Sequence, residues 1–131
     1  MVIDTSALVA VVFDEPERAA FADAIAADPR RLVSATNMLE SMIVVEARRG
    51  AAAARELDLL IHHAAIATVA VTEPQVALAR GAWRQFGKGR HPAALNLGDC
   101  FAYALARHSG EPLLFKGADF ALTDVAVVPV G

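Results

Sequence analysis

Four carboxylates lie at or just beyond short apolar segments of the kind that form buried strands. Asp4 ends the segment MVID, and Asp119 follows PLLF by a short turn. Glu40 lies one turn into the helix predicted after RLVSA, and Asp99 begins another predicted helix. Carboxylates that converge repel one another, so a cluster of them requires a bound cation or raised pKa values. Their oxygen atoms favour Mg²⁺ or Mn²⁺ over zinc, and such an ion can activate water for hydrolysis of a phosphodiester.

Each of these acids also has a purely structural explanation. Asp4 could cap a helix, Asp99 could be a first-turn acid that interacts with the helix dipole, and Asp119 could be a turn residue. Glu40 competes with Glu46, which lies on the apolar stripe of the same predicted helix. Helical spacing alone does not choose between the two glutamates.

The elements that would position these acids are short strands that alternate with helices. The pattern predicts helices over residues 5–13, 16–27, 36–49, 52–66, 73–87 and 99–109. It predicts strands over residues 1–4, 31–34, 67–71, 112–115 and 125–130. Short apolar strands separated by helices are typical of a mainly parallel sheet covered on both faces. We therefore expect a three-layer α/β/α fold in which ligands bind at the carboxyl ends of the strands.

The composition indicates a globular protein. The chain has 131 residues, 56% of them hydrophobic, and we expect one domain spanning 1–131. The apolar stretch SALVAVVF has no basic residue ahead of it and is followed at once by DEPE. A signal peptide or membrane span is therefore not indicated, and we expect a cytoplasmic protein that does not bind a membrane. The single cysteine, Cys100, excludes an internal disulfide, and we interpret it as a core thiol.

The net charge of −3 does not suggest a strongly basic nucleic-acid-binding protein, but the charge is unevenly distributed. Residues 80–116 contain six basic and two acidic side chains, a local charge of +4 that leaves −7 for the rest of the chain. This distribution is compatible with a basic rim that attracts phosphates. Trp83 lies in this segment and could stack on a base, although packing in the core or at an interface is the alternative.

Four sequence segments together resemble one known family. They are VIDTSAL at the start, SATNMLE at 34–40, LGDCFAYALA around Asp99 and PLLFKGADF at 112–120. With these motifs the whole chain resembles the PIN-domain ribonucleases, and within them the VapC-type toxins of bacterial toxin–antitoxin pairs. The resemblance implies a PIN-like fold and an endoribonuclease activity on structured RNA that depends on Mg²⁺ or Mn²⁺. It also implies a cognate VapB-type antitoxin and a homodimer that assembles further with the antitoxin.

The resemblance also implies roles for individual residues. Asp4 and Asp99 correspond to metal-binding acids, and Ser6 corresponds to the hydroxyl that supports the first of them. Glu40, rather than Glu46, corresponds to the acid after the second strand. The catalytic acids implied are Asp4, Glu40, Asp99 and Asp119. Many relatives have T-x-D before the last of these acids, whereas this chain has Phe115, Lys116 and Gly117.

Further expectations concern the binding surfaces. We expect RNA phosphates to bind Arg84, Lys88, Arg90 and Lys116, with a solvated helix face as the alternative. Helix 36–49 is apolar on most faces, and the preceding helix adds Phe21 and Ile25. We expect an antitoxin helix to lie in a groove between these two helices, with an Arg or Lys reaching the acidic site.

Functions from other classes fit the motifs less well. A haloacid-dehalogenase-like phosphatase needs D-x-D after the first strand, but residue 6 is serine. A receiver-type phosphoacceptor pairs acids after the first strand, but Asp4 is preceded by Val2 and Ile3. The remaining alternative is a catalytically silent PIN-like module whose acids receive an arginine of a protein partner.

Overall fold

The computed structural model describes residues 1–130, in which four parallel strands form one sheet with the order β3-β2-β1-β4. The strands are β1 (Val2–Ile3), β2 (Leu32–Ser34), β3 (Ala67–Val69) and β4 (Leu113–Leu114). The helices are α1 (Thr5–Val12), α2 (Arg18–Ala27), α3 (Ala35–His63), α4 (Glu73–Phe86) and α5 (Leu97–Ser109), and a 3₁₀ helix spans Phe120–Leu122.

Successive residues of a strand face opposite sides of the sheet, and this alternation builds two separate cores. One core contains the buried side chains of α1, α2 and α3, together with Ile3, Val33 and Leu114. The other contains the buried side chains of α4 and α5, together with Val2, Leu32 and Leu113. The predicted three-layer α/β/α arrangement with a parallel sheet is therefore confirmed.

The long helix α3 contains a sharp bend. Gly50 has φ of 80° and ψ of −169°, which lies outside the helical range. Glycine adopts positive φ without the steric cost that a Cβ atom imposes. The helices predicted over 36–49 and 52–66 are the two halves of α3, folded back at this glycine. Two other helix starts differ from the prediction by two residues, since α2 begins at Arg18 and α5 begins at Leu97.

The predicted strand over 125–130 is wrong. Within this segment, Val127 makes only an isolated parallel bridge with Leu113. Leu113 N donates to Ala126 O at 2.9 Å, and Val128 N donates to Leu113 O at 3.0 Å. Pro129 follows directly and has no N–H to continue a ladder. The apolar character of this segment reflects the burial of Val125 and Val128 against the sheet rather than a fifth strand.

The predicted groove between α2 and α3 is also wrong in its lining. Phe21 and Ile25 have only 2% and 3% of their surface exposed, because both side chains point into the core beneath α1 and α3. Met42 has 40% of its surface exposed and remains available. No helix within residues 1–130 is both long and apolar enough to cross a membrane.

Candidate active site

Asp4 lies at the carboxyl end of β1 and caps the N-terminus of α1. Its Oδ2 atom accepts hydrogen bonds from Ser6 N at 3.0 Å and Ser6 Oγ at 2.6 Å. Ser6 Oγ in turn accepts a hydrogen bond from Lys116 N at 2.9 Å, which ties the start of α1 to the segment after β4. Ser6 therefore contacts the Asp4 carboxylate through both its backbone and its hydroxyl, and Oδ1 of Asp4 receives no hydrogen bond from residues 1–130.

Glu40 projects from the first turns of α3 toward the start of α5. Thr5 Oγ1 donates to Glu40 Oε1 at 2.5 Å. A Cβ atom added to Gly98 would lie 2.7 Å from Glu40 Oε2 and 2.9 Å from Oε1, which is closer than non-bonded atoms approach. The carboxylate of Glu40 therefore occupies space that is open only because residue 98 is glycine.

Asn37 joins these two helices from a buried position. Its Nδ2 atom donates to Gly98 O at 3.0 Å and to Glu40 Oε1 at 3.4 Å, and 1% of the residue is exposed. This side chain therefore links α3 to the start of α5 beside Glu40. Its Oδ1 atom is buried without a hydrogen-bond partner in the described part of the chain.

Asp99 belongs to a capping box at the N-terminus of α5. Asn96 Oδ1 accepts from Asp99 N at 2.9 Å, and Asp99 Oδ2 accepts from Asn96 N at 3.0 Å. Asp99 therefore does have a structural role at the start of α5, but that role uses only its Oδ2 atom. The Oδ1 atom remains free of hydrogen bonds to residues 1–130. A helix N-terminus also stabilises negative charge, so this position suits an ionised acid.

The three acids meet in one open cleft of about 300 Å³. Asp4, Glu40, Asp99 and Ser6 all line it, although they come from the starts of three different helices. Glu46 does not line this cleft; it is exposed and lines a different pocket, together with Leu57 and Asp58 of the second half of α3. The structure thereby brings together three of the four predicted acids and separates Glu40 from its competitor.

The cleft is electrostatically strained. Burial raises the pKa of Asp4 from 3.8 to about 6, and the nearby charges of Asp99 and Glu40 also raise it, whereas the hydrogen bonds from Ser6 lower it. Burial likewise raises the pKa of Asp99, with further increases from the charges of Asp119 and Glu40. A divalent cation placed between these acids would relieve the repulsion and favour their ionised forms.

Asp119 is not among the residues that line the cleft. It is exposed, precedes the 3₁₀ helix and makes no capping hydrogen bond. It acts on the cleft through its charge, because it is the largest charged contributor to the raised pKa of Asp99. Of the four predicted acids, it is therefore the one that the fold places at the periphery.

The donor set suits a hard divalent ion with few protein ligands. Among residues 1–130, no group of three or more His, Cys, Asp or Glu side chains is arranged as a ready-made metal cage. Mg²⁺ is commonly held by one or two carboxylates and keeps several waters. The free Oδ1 atoms of Asp4 and Asp99 match that requirement, and the chemistry excludes a zinc site built on Cys or His.

The predicted phosphate-binding cations fall into two groups. Lys116 lines the cleft, but its ammonium pairs with Glu15 and lies 3.3 Å from Glu17 Oε2. These pairs make Lys116 less available for phosphate than the sequence suggested. The remaining cations are exposed and form no ion pair with any acid in residues 1–130; they are Arg84, Lys88 and Arg90.

Sequence reasoning missed the residues that position the acids. Thr5 and Asn37 hold Glu40, Gly98 makes room for it, and Asn96 caps α5. The capping box had a readable signal, because an Asn three residues before an acid at a helix start is a known N-terminal pattern. The contacts of Asn37 had none, because its partner lies 61 residues away in the chain.

Comparison with known proteins identifies the family of this chain. The PIN domain family model matches residues 1–126. Ribonuclease VapC from Mycolicibacterium smegmatis is 57% identical over 128 residues, covering 98% of this chain and 99% of that protein. Ribonuclease VapC30 from Mycobacterium tuberculosis is 56% identical over 128 residues, covering 98% of each chain.

Solved structures show the same fold at low sequence identity. VapC20 from Mycobacterium tuberculosis, described as a toxin that cleaves the sarcin-ricin loop, has a TM-score of 0.76 at 19% identity and covers 99% of this chain and 98% of that one. VapBC2 from Rickettsia felis, bound to a DNA fragment from its promoter, has a TM-score of 0.75 at 12% identity and the same coverage. The expected resemblance is confirmed: this chain belongs to the PIN-domain family, within its branch of VapC-type toxin ribonucleases.

Proposed function

We propose that this ribonuclease hydrolyses RNA phosphodiester bonds internally, with Mg²⁺ or Mn²⁺ bound between Asp4 and Asp99. The VapC ribonucleases of the PIN family generally depend on a divalent metal ion. The observation that carries the proposal is the meeting of Asp4, Glu40 and Asp99 in one cleft, with the pKa of both aspartates raised. A bound cation would offset the electrostatic cost of holding three acids from distant segments in one cleft.

The side chains divide the work within the cleft. Asp4 and Asp99 would hold the ion through the carboxylate oxygens that face no other donor. When bound there, the ion would lower the pKa of water and stabilise charge at the phosphoryl oxygens. Glu40 would accept the proton of the attacking water at Oε2, which receives no hydrogen bond from residues 1–130, whereas Oε1 has hydrogen bonds from Thr5 and Asn37. Asp119 adds negative charge beside Asp99 and thereby strengthens cation binding.

Replacement of Glu40 by Gln, with Glu46→Gln as the matched control, tests this division. Both glutamates lie on α3, but only Glu40 lines the cleft. Loss of a proton acceptor slows a reaction by about 100- to 10,000-fold. We expect Glu40→Gln to show that loss in a cleavage assay with structured RNA and Mn²⁺, while Glu46→Gln cleaves at the wild-type rate. Cleavage that persists in EDTA would refute the metal proposal, and no cleavage by wild type in either metal would favour the silent binding module.

Substrate phosphates are proposed to contact the exposed cations Arg84, Lys88 and Arg90. Lys116 contributes only when its pairs with Glu15 and Glu17 open. Each phosphate contact to a single strand adds about 0.7 to the slope of log affinity against log salt concentration. Neutralising the three exposed cations is therefore expected to flatten that slope by about 2. An unchanged slope would favour a solvated helix face instead.

The proposed protein partner is a VapB-type antitoxin with a basic segment. Two of the structural neighbours are toxin–antitoxin assemblies, from Klebsiella pneumoniae and from Rickettsia felis. In this chain, the two halves of α3 enclose a groove of about 250 Å³ lined by Met42, Leu57, Glu46 and Asp58. Its carboxylates suit a basic amphipathic segment, and it takes the place of the groove expected beside Phe21.

Charge reversal in this groove tests the antitoxin assignment. We expect Asp58→Lys to weaken binding of the antitoxin encoded by the adjacent reading frame, measured by calorimetry. Asp23→Lys is the control, because Asp23 is exposed on α2 and does not line the groove. Equal affinities for the two variants would place the antitoxin elsewhere.

A homodimer is proposed through the face that α3 and α5 share. Leu39 and Leu97 have 59% and 77% of their surface exposed, and with Phe101 they line an apolar depression of about 450 Å³. Exposed apolar patches of this kind mark interaction surfaces. We expect Leu97→Asp to convert the dimer into a monomer, as measured by light scattering, and a monomeric wild type would refute this.

We propose the cytoplasm as the location of the complex.

A further inference from the structure

A further cavity, of about 510 Å³, lies between α4 and the start of α5. One stripe of α4 supplies Val76, Ala79 and Trp83, and α5 supplies Leu97 and Cys100. These walls are apolar, but Arg80 and Lys88 also line the cavity. The cavity is larger than the acidic cleft. None of the residues that line it is assigned above to metal binding or proton transfer.

Trp83 presents an aromatic surface inside this cavity. The residue has 45% of its surface exposed, and the guanidinium of Arg90 lies 4.3 Å from the centroid of its ring. Arg80, Lys88 and Arg90 form no ion pair with any acid in the described part of the chain. A purely apolar partner would leave these cations without counter-charges. A nucleotide supplies both a flat ring for the indole and a phosphate for the cations.

The cavity is connected to the acidic cleft through one residue. Asn96, which caps α5 beside Asp99, lines both spaces. Lys88 is held in place by hydrogen bonds of its loop, because Lys88 N donates to Leu95 O and Leu95 N donates to Phe86 O, both at 3.0 Å. The cavity and the acidic cleft therefore meet at Asn96, so one RNA chain could run from one to the other.

We propose that this cavity binds one unstacked base of the RNA substrate, with the base against Trp83 and its flanking phosphates on Arg80 and Lys88. The proposal rests on the ribonuclease function and deepens it by naming a subsite for the nucleotide next to the bond that is cut. Recognition of RNA in this way is typical of loops and bulges, whose bases can turn outward onto aromatic side chains. Trp83 would then help to choose where a structured RNA is cut.

The single tryptophan of the chain makes the test direct, because all indole fluorescence comes from Trp83. Short single-stranded RNA, added in EDTA so that it is not cut, is expected to quench this fluorescence with a saturable profile. In a separate titration with dye-labelled RNA, Trp83→Ala is expected to bind about 10- to 100-fold more weakly, and Trp83→Phe less so. Arg80→Gln with Lys88→Gln is expected to flatten the salt slope by about 1.4, whereas Arg55→Gln, exposed on α3, leaves it unchanged.

Other outcomes separate this proposal from the function on which it rests. If wild type cleaves structured RNA but shows no quenching, and Trp83→Ala keeps the wild-type KM, the base subsite is refuted and the nuclease assignment stands. If quenching occurs without cleavage in any metal, the subsite stands and the nuclease assignment fails. If Trp83→Ala converts a dimer into a monomer and loses RNA affinity only through that change, a second copy of the chain covers the cavity, and the proposal is overturned.

Discussion

Replacing Asp4 with Asn is expected to stabilise the metal-free protein. Asp4 has 4% of its surface exposed, and burial raises its pKa from 3.8 to about 6. Each pKa unit corresponds to about 1.4 kcal/mol, so ionised Asp4 costs about 3 kcal/mol of folding free energy at neutral pH. Asn has nearly the same shape, carries no charge and can still accept the hydrogen bond from Ser6 N.

The dependence on pH follows from the sign of this shift. The folded protein binds the Asp4 proton more tightly than the unfolded chain, so protonation contributes stability below pH 3.8 and this contribution is lost as pH rises through about 6. Wild type in EDTA should therefore lose stability between pH 4 and 7 relative to Asp4→Asn. At pH 8 the variant should be more stable by about 3 kcal/mol, or on the order of 10 °C in melting temperature.

Thermal and urea unfolding at pH 4, 6 and 8 would measure this difference, with Asp23→Asn as a control for loss of an exposed carboxylate on α2. Mn²⁺ at 100 times its dissociation constant should stabilise wild type by about 2.7 kcal/mol and the variant much less. A variant that is less stable than wild type in EDTA at pH 8 would refute the reasoning. So would a difference in stability that does not change with pH, because Asp4 would then be mainly a helix cap.

Three further predictions use other contacts of the fold. Gly98→Ala should reduce RNA cleavage on the order of 100-fold by displacing Glu40, whose Oε2 would lie 2.7 Å from the new Cβ, while its melting temperature stays near wild type. A cleavage assay beside a thermal melt checks this, and wild-type activity would contradict it. In urea unfolding, Phe21→Ala should cost about 3–5 kcal/mol because Phe21 is in the core, whereas exposed Met42→Ala should cost less than about 1 kcal/mol. Equal losses would contradict the burial of Phe21. Burial and hydrogen bonding to Asp124 raise the pKa of Tyr103, the single tyrosine, to about 12, so its phenolate absorbance should increase only near that pH, and titration near 10 would contradict the contact.

The parallel sheet and the position of Asp4 could be predicted because they depend on local patterns. A short apolar segment followed by an acid and a helix places that acid at the carboxyl end of a strand, whichever strands are its neighbours. Glu40 was a different case, because helical spacing left Glu46 equally possible and only the motif distinguished them. The structure separates them by contacts with Thr5 and Gly98, which no periodicity encodes.

Features that depend on distant partners could not be predicted. Phe21 lies on the apolar side of an amphipathic helix, but spacing does not say whether that side meets the core or a partner. The sequence around Lys116 gives no sign that its ammonium is paired, because its partners Glu15 and Glu17 lie about a hundred residues earlier in the chain. The strand predicted at 125–130 was wrong for a related reason. A run of apolar residues indicates that a segment is buried, but it does not show that the backbone forms the continuous hydrogen bonds of a strand.

The pairing of β1 with β4 has a consequence for synthesis of the protein. Asp4 N donates to Leu114 O at 2.9 Å, and Lys116 N donates to Ser6 Oγ at 2.9 Å, so the first strand to leave the ribosome is completed by the last. Translation proceeds at about 5–20 residues per second, and until β4 and Lys116 emerge the nascent chain lacks the strand and the backbone contact that support Asp4 and Ser6. If Asp4 acts as proposed, an incomplete polypeptide is expected not to attack RNA near the ribosome that makes it. Cleavage activity is then expected only after β4 has been translated and has paired with β1.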